Sequence, residues 1–140
     1  MKFSAIFTFF FLCFSLMFVG CSTNPETVLP SKTGKWNVTW VSTTTTSSGS
    51  TSDTEKTTQT FKDDGTATSV DSDGNTTNFK WAYDESAKKM TVTITLLVIG
   101  DVSTVYDVTE QKWNKQTWSR TYKGVLNQDI KDVVTLERAK

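Results

Sequence analysis

Asp107 and Asp132 are the carboxylates of this chain that fall inside strand-like stretches rather than in turns. Two acids flanking a cleft would be the minimum for glycoside hydrolysis. The other acids cluster in turns or stand singly at strand ends, where solvation accounts for them. No histidine occurs anywhere, so Ser-His-Asp and Cys-His nucleophile systems are excluded. The usual His/Cys zinc sites cannot be assembled from Cys13 and Cys21 alone. Asp71-Ser72-Asp73-Gly74-Asn75 has the look of a calcium loop. A calcium-binding loop of the helix-loop-helix type needs Gly at its sixth position and Glu at its twelfth, and here Thr76 and Ala82 stand there. That segment reads as a hairpin turn. No phosphate-cradling or dinucleotide-binding glycine pattern is present. The chain is therefore read as non-enzymatic, with no catalytic residues, no metal and no cofactor.

The other residues able to do chemistry are aromatic. Trp40, Trp81, Tyr83, Tyr106, Trp113 and Trp118 are spread through a Ser/Thr-rich background. On the inside of a barrel they would line a cavity for one small apolar or amphipathic molecule. The competing reading is that they fill the core, because a domain near 105 residues needs large side chains to do so. A ligand site predicts a mostly apolar cavity of roughly 300 Å³ or more.

The first stretch of the chain addresses it. Met1-Lys2 gives a basic start, and Phe3 to Val19 is apolar except for Ser4, Thr8, Cys13 and Ser15. That is short of the roughly 20 residues of a membrane-spanning helix and has the form of a secretory signal. Leu16-Met17-Phe18-Val19-Gly20-Cys21 resembles the bacterial lipobox, although Phe18 stands where Leu is commonest. The resemblance implies thioether acylation of Cys21, cleavage before it, and a lipid-anchored protein of the cell envelope. More than one acyl chain is needed for stable attachment. Ser22 lacks the acidic inner-membrane retention signal, which points to the outer membrane. Cys13 leaves with the signal, so Cys21 is the one mature cysteine and no internal disulfide can form.

These readings divide the chain into a signal peptide (1–20), a lipid-anchored tether (21–33) and a β domain (34–140). The tether carries Pro25 and Pro30 and would reach on the order of 20 Å as a coil. Lys and Arg total 15 against 15 Asp and Glu. That balance leaves no basic face for nucleic acid and no polybasic membrane patch. The expected partners are the membrane, through the acyl anchor, and a small ligand; no protein partner is specified.

From Gly34 onward the pattern is period two, punctuated by turns about every 8 to 12 residues. Trp36, Val38 and Trp40 share one face. Thr43 to Ser52 is either a long hairpin tip or a disordered loop, and the uncertainty extends to residue 58. Asp64-Gly65 is a tight-turn signal, and Asp73-Gly74-Asn75 is another. Phe79, Trp81 and Tyr83 share a face. Met90, Val92, Ile94 and Leu96 make the most apolar face, in a run broken at Gly100-Asp101. Trp113 and Trp118 lie at odd spacing in one strand, so they point to opposite sides unless a bulge intervenes. Ile130, Asp132, Val134 and Leu136 share parity in the last strand. About eight strands in sequence order predict an all-β, up-and-down antiparallel barrel without a C-terminal helix, which leaves no exposed edge.

Gly34-Lys35-Trp36 resembles the G-x-W opening of lipocalins. With "TFKDDGTAT", "KWAYDESAKKMTV" and the closing "VTLER", the stretch from Gly34 to Glu137 is similar to the short lipocalin-like domains of bacterial lipoproteins, of the kind common in Bacteroidetes. The resemblance implies a ligand-binding calycin-type barrel. It also implies that Trp36 is covered by a late arginine, Arg120 or Arg138, through a cation–π contact that closes one barrel end. The alternative is a protein-interaction or inhibitor module of the envelope, with a filled barrel and an exposed patch at Trp113 or Trp118.

Overall fold

The alternation of side chains wraps into a closed sheet. In the computed structural model, which describes residues 23–140, the barrel runs β1 (Lys35–Thr46), β2 (Gly49–Phe61), β3 (Thr66–Val70), β4 (Thr76–Asp84), β5 (Lys89–Leu96), β6 (Gly100–Lys112), β7 (Lys115–Lys123) and β8 (Asp129–Arg138). Each strand pairs antiparallel with its sequence neighbours, and β8 returns to pair with β1. This is an eight-stranded up-and-down antiparallel barrel, with no C-terminal helix among the described residues. Every strand has a neighbour on each side, but the pairing thins toward one end: β2 meets β3 only over its last four residues, Thr58 to Phe61, and β6 meets β7 only from Asp107 onward.

The turns hold because their residue types suit them. Asp64 accepts from the Thr66 backbone N–H and hydroxyl, at 2.8 and 2.6 Å. Gly65 takes the positive φ of 78° that the turn requires. Asp71 uses both carboxylate oxygens within its own turn, taking bonds from the Asp73 and Asn75 amides and the Asn75 side chain. The Thr43 to Ser52 stretch is an ordered hairpin that turns at Ser47-Ser48. Hydroxyl pairs Thr43–Ser52 (2.9 Å) and Thr45–Ser50 (3.1 Å) ladder its strands, a cross-strand pairing that suits Ser and Thr.

An up-and-down barrel sends alternate hairpins to opposite ends. The end where β1 begins is sealed. Trp36 is fully buried and donates its indole N–H to the Leu29 carbonyl at 2.9 Å. Phe61 meets Phe79, Trp81 and Trp118 edge to face, with centroids 5.7 to 6.2 Å apart, the arrangement that ring quadrupoles favour. Met90 and Leu136 complete this floor with no exposure. Gly34 explains the opening motif. A Cβ there would lie 2.1 Å from the Phe61 carbonyl oxygen, and its φ is +62°. Only glycine lets the chain approach β2 so closely.

Three features differ from the sequence-based expectations. The stretch expected to be a free tether is packed from Asn24 onward. Asn24 caps a single helical turn, α1 (Pro25–Val28), by accepting from the Glu26 amide. Pro25, Val28 and Leu29 are buried beneath the barrel floor, so their apolar side chains act as a plug. Trp113 is not in a strand but in the β6–β7 turn. The irregularity lies in β6, between Val108 and Glu110. Finally, the Met90-to-Leu96 face is buried at its first residue only. Exposure rises to 36 % at Ile94 and 44 % at Leu96, because the barrel is open at that end.

Candidate ligand-binding cavity

Above the aromatic floor the barrel narrows to no second plug. A cavity of about 230 Å³ occupies its upper half and opens at the end opposite α1. It is somewhat smaller than the roughly 300 Å³ at which typical small-molecule sites begin, so it suits a compact ring or a short chain. Its walls are unlike one another. Val92 and Ile94 of β5, Tyr106 of β6, Trp118 of β7 and Val134 of β8 form an apolar side that continues onto Val38 and Trp40 of β1. Glu55, Thr57 and Gln59 of β2, Ser69 of β3 and Thr77 of β4 form a polar side, above Phe79.

Among the described residues, the buried atoms without a hydrogen-bond partner include Gln116 Oε1 near the sealed end and two atoms in the upper half of the barrel's inner face. One of these two is the indole N–H of Trp118, a residue whose ring lines the cavity while its N–H is itself covered. Leaving such a donor unsatisfied costs about 1–3 kcal/mol, and an acceptor atom on a ligand would remove that cost. The other is Asp132 Oδ1. Its second oxygen accepts from Arg120 Nε at 2.7 Å, with the carboxylate fully buried. The Arg120 guanidinium lies 4.4 Å from the Tyr122 ring centroid and 5.3 Å from that of Tyr106. Burial pushes the Tyr106 phenol above its ordinary value, opposed in part by Arg120, so that hydroxyl stays neutral and able to donate.

Of the six aromatic candidates, Trp40, Tyr106 and Trp118 line the cavity. Trp81 and Tyr83 are buried in the floor instead. Trp81 donates its N–H to the Thr66 carbonyl at 3.2 Å, and the Tyr83 hydroxyl accepts from Gln111 at 2.5 Å. Trp113 lies outside the barrel at the sealed end, 48 % exposed, with Lys32 over its ring at 5.0 Å. It cannot line the cavity from there. The arginine covering Trp36 is Arg138, at 4.4 Å. It also donates to the Val28, Ser31 and Trp113 carbonyls, locking α1 and the β6–β7 turn onto the barrel. Arg120 serves Asp132 instead, and so takes no part in sealing that end. Cys21, and with it the lipidation, lies outside the described residues, as does the signal segment.

The acids expected to be worth testing as a pair face opposite ways. Asp107 is exposed and bonded to Lys89 at 2.5 Å, whereas Asp132 is inside and bonded to Arg120. They do not flank one cleft. The polar wall went unrecognised in the sequence, although Glu55, Thr57 and Gln59 share the parity of Phe61 and could have been found from it. No family model matches the chain, and no curated protein does.

Proposed function

We propose that this chain is a lipid-anchored lipoprotein of the bacterial envelope, held through Cys21, whose lipocalin-like barrel binds one small amphipathic molecule. The reading is non-enzymatic. The observation that carries it is the two-sided cavity, with Trp118, whose indole N–H is unpartnered, on its apolar side. The apolar body of a ligand would lie along β5 to β8, its acceptor atom would accept a hydrogen bond from the Trp118 indole once a small turn of the ring bares the N–H, and Glu55, Gln59 or Thr57 would meet a polar end. In a water-poor site such a contact fixes orientation more than it adds raw affinity.

The test is titration of the barrel with an amphipathic naphthylamine fluorophore, read by energy transfer from tryptophan. Saturable one-to-one binding is expected, abolished by Val134→Trp, which fills the cavity. Binding unchanged by Val134→Trp would reject the site. Anchoring is tested separately, by the mass of the N-terminal peptide from native membranes, which should begin at an acylated Cys21.

The protein-interaction reading draws support from the exposed Trp113 alone, since Trp118 is 2 % exposed and offers no surface. It also requires a filled barrel, which the open upper half does not favour.

A further inference from the structure

Four hairpin connections surround the cavity mouth, and they fall into two kinds. Thr46 to Gly49 and Asp71 to Asn75 are wholly polar. The β5–β6 tip is Leu97-Val98-Ile99, and the neighbouring β7–β8 loop carries Val125-Leu126. Leu97 and Val125 are fully exposed, Val98 94 %, Leu126 85 % and Ile99 69 %. Hairpin tips in water are ordinarily polar, and five projecting aliphatic side chains on one side of a mouth ask for an apolar phase.

We infer that this half-rim docks onto an uncharged lipid surface, so that the cavity mouth opens against lipid. Three observations favour lipid over protein. The tips are separate fingers of Leu, Val and Ile, without the aromatic and arginine anchors that dominate protein interfaces. A stable dimer needs about 20–30 residues a side, far more than two short tips supply. The apolar tips also run without a break into the cavity's apolar wall, through Leu96 and Ile94 to Val92. Charge points the same way. The four connections hold no basic residue, and Lys123 at the end of β7 is paired with Asp129 at 2.7 Å. Asp71, Asp73 and Asp101 leave the rim acidic, which disfavours anionic lipid. Thr23 enters at the sealed end, so an acyl anchor on Cys21 would hold the opposite end of the barrel, and the rim would meet a second lipid surface.

The docking stands on the rim alone; its purpose, exchange of ligand between lipid and cavity, rests on the binding proposed above. The closed barrel of residues 23–140, which lacks the anchor, is floated with vesicles of pure phosphatidylcholine. It should float, and should do so equally in 0.1 and about 1 M salt, where charge–charge attraction is screened. Val98→Asp and Leu126→Asp should each lower vesicle partition about tenfold or more, whereas Ser48→Asp on the polar half-rim should not. Thermal melts confirm that each variant is folded. Failure to float, an equal loss with Ser48→Asp, or flotation only with phosphatidylglycerol would overturn the inference. So would a concentration-dependent dimer abolished by Val98→Asp, which would assign the tips to a second copy. Fluorophore binding in vesicle-free solution should survive Val98→Asp. If fluorophore never binds while flotation holds, the ligand reading fails and the docking remains.

Discussion

The sealed and open ends of this barrel are made from the same eight strands yet differ in nearly every physical respect. At the sealed end large side chains interlock, and Arg138 ties α1, Trp36 and the β6–β7 turn together. At the open end the strands surround a cavity, and two hairpins expose aliphatic tips. Packing is concentrated at the sealed end, and the end where binding is proposed is left more open. Binding regions are commonly drawn from the least stable parts of a fold. Here the division follows one axis.

The comparison can be broken most decisively at Trp36. Trp36→Ala should cost about 3–5 kcal/mol in urea unfolding, since it empties the floor, frees the Leu29 carbonyl and strips the ring from Arg138. An effect below about 1 kcal/mol would mean that the sealed end does not carry the fold.

Arg120→Ala comes next, because it leaves the Asp132 carboxylate buried without its cation. A loss of about 3 kcal/mol is expected. Replacing both residues by leucine should recover most of that loss, so the single and double variants together separate the pair's net worth from the damage of breaking it. The pair lies one inward-facing position nearer the open end than the cavity-lining Trp118 and Val134.

Trp118→Phe is the sharper probe of the open half. It keeps an aromatic ring beside Phe61 and Tyr106 but deletes an unsatisfied buried donor. Stability should change by less than about 1 kcal/mol, while affinity for a ligand bearing an acceptor should fall roughly tenfold, as for one lost hydrogen bond. Calorimetry on both proteins reads the two effects.

The smallest effect belongs to Glu110, near the sealed end. Hydrogen bonds from Lys112, Lys115 and Thr117 hold its carboxyl down to about 2. A folded-state value below the ordinary one means that the ionised form is favoured by folding. Its stabilisation is present above the ordinary carboxylate range and is lost as pH falls through about 2. Glu110→Gln should therefore melt slightly below the parent near pH 6, and the gap should shrink as pH falls toward 2.

The strands and their faces were legible in the sequence, but most of the division between the two ends was not. Strand faces follow from the parity of Trp36-Val38-Trp40, of Phe79-Trp81-Tyr83 and of Ile130 to Leu136, since side chains alternate across a strand. Asp64-Gly65 and Gly74 mark turns that only such residues make cheaply. What parity cannot supply is height along the barrel axis. Trp81 and Trp40 both read as inward-facing, yet one lies in the floor and the other at the cavity. Met90 and Leu96 share a face, but only the first meets the plug. The plug itself was hidden because α1 is one turn long, too short for helical periodicity, and its prolines suggest an open tether. Leu97-Val98-Ile99 looked like the rest of an apolar strand. The strand ends at Leu96, and the remaining apolar residues become the tip.

Native mass spectrometry of the protein released from its own envelope bears most directly on whether the open half is a binding site. The mature chain should carry a single small, mostly apolar molecule with at least one hydrogen-bond acceptor, absent from Val134→Trp prepared identically. A bare polypeptide mass in both preparations would contradict the assignment and leave the cavity as unfilled space.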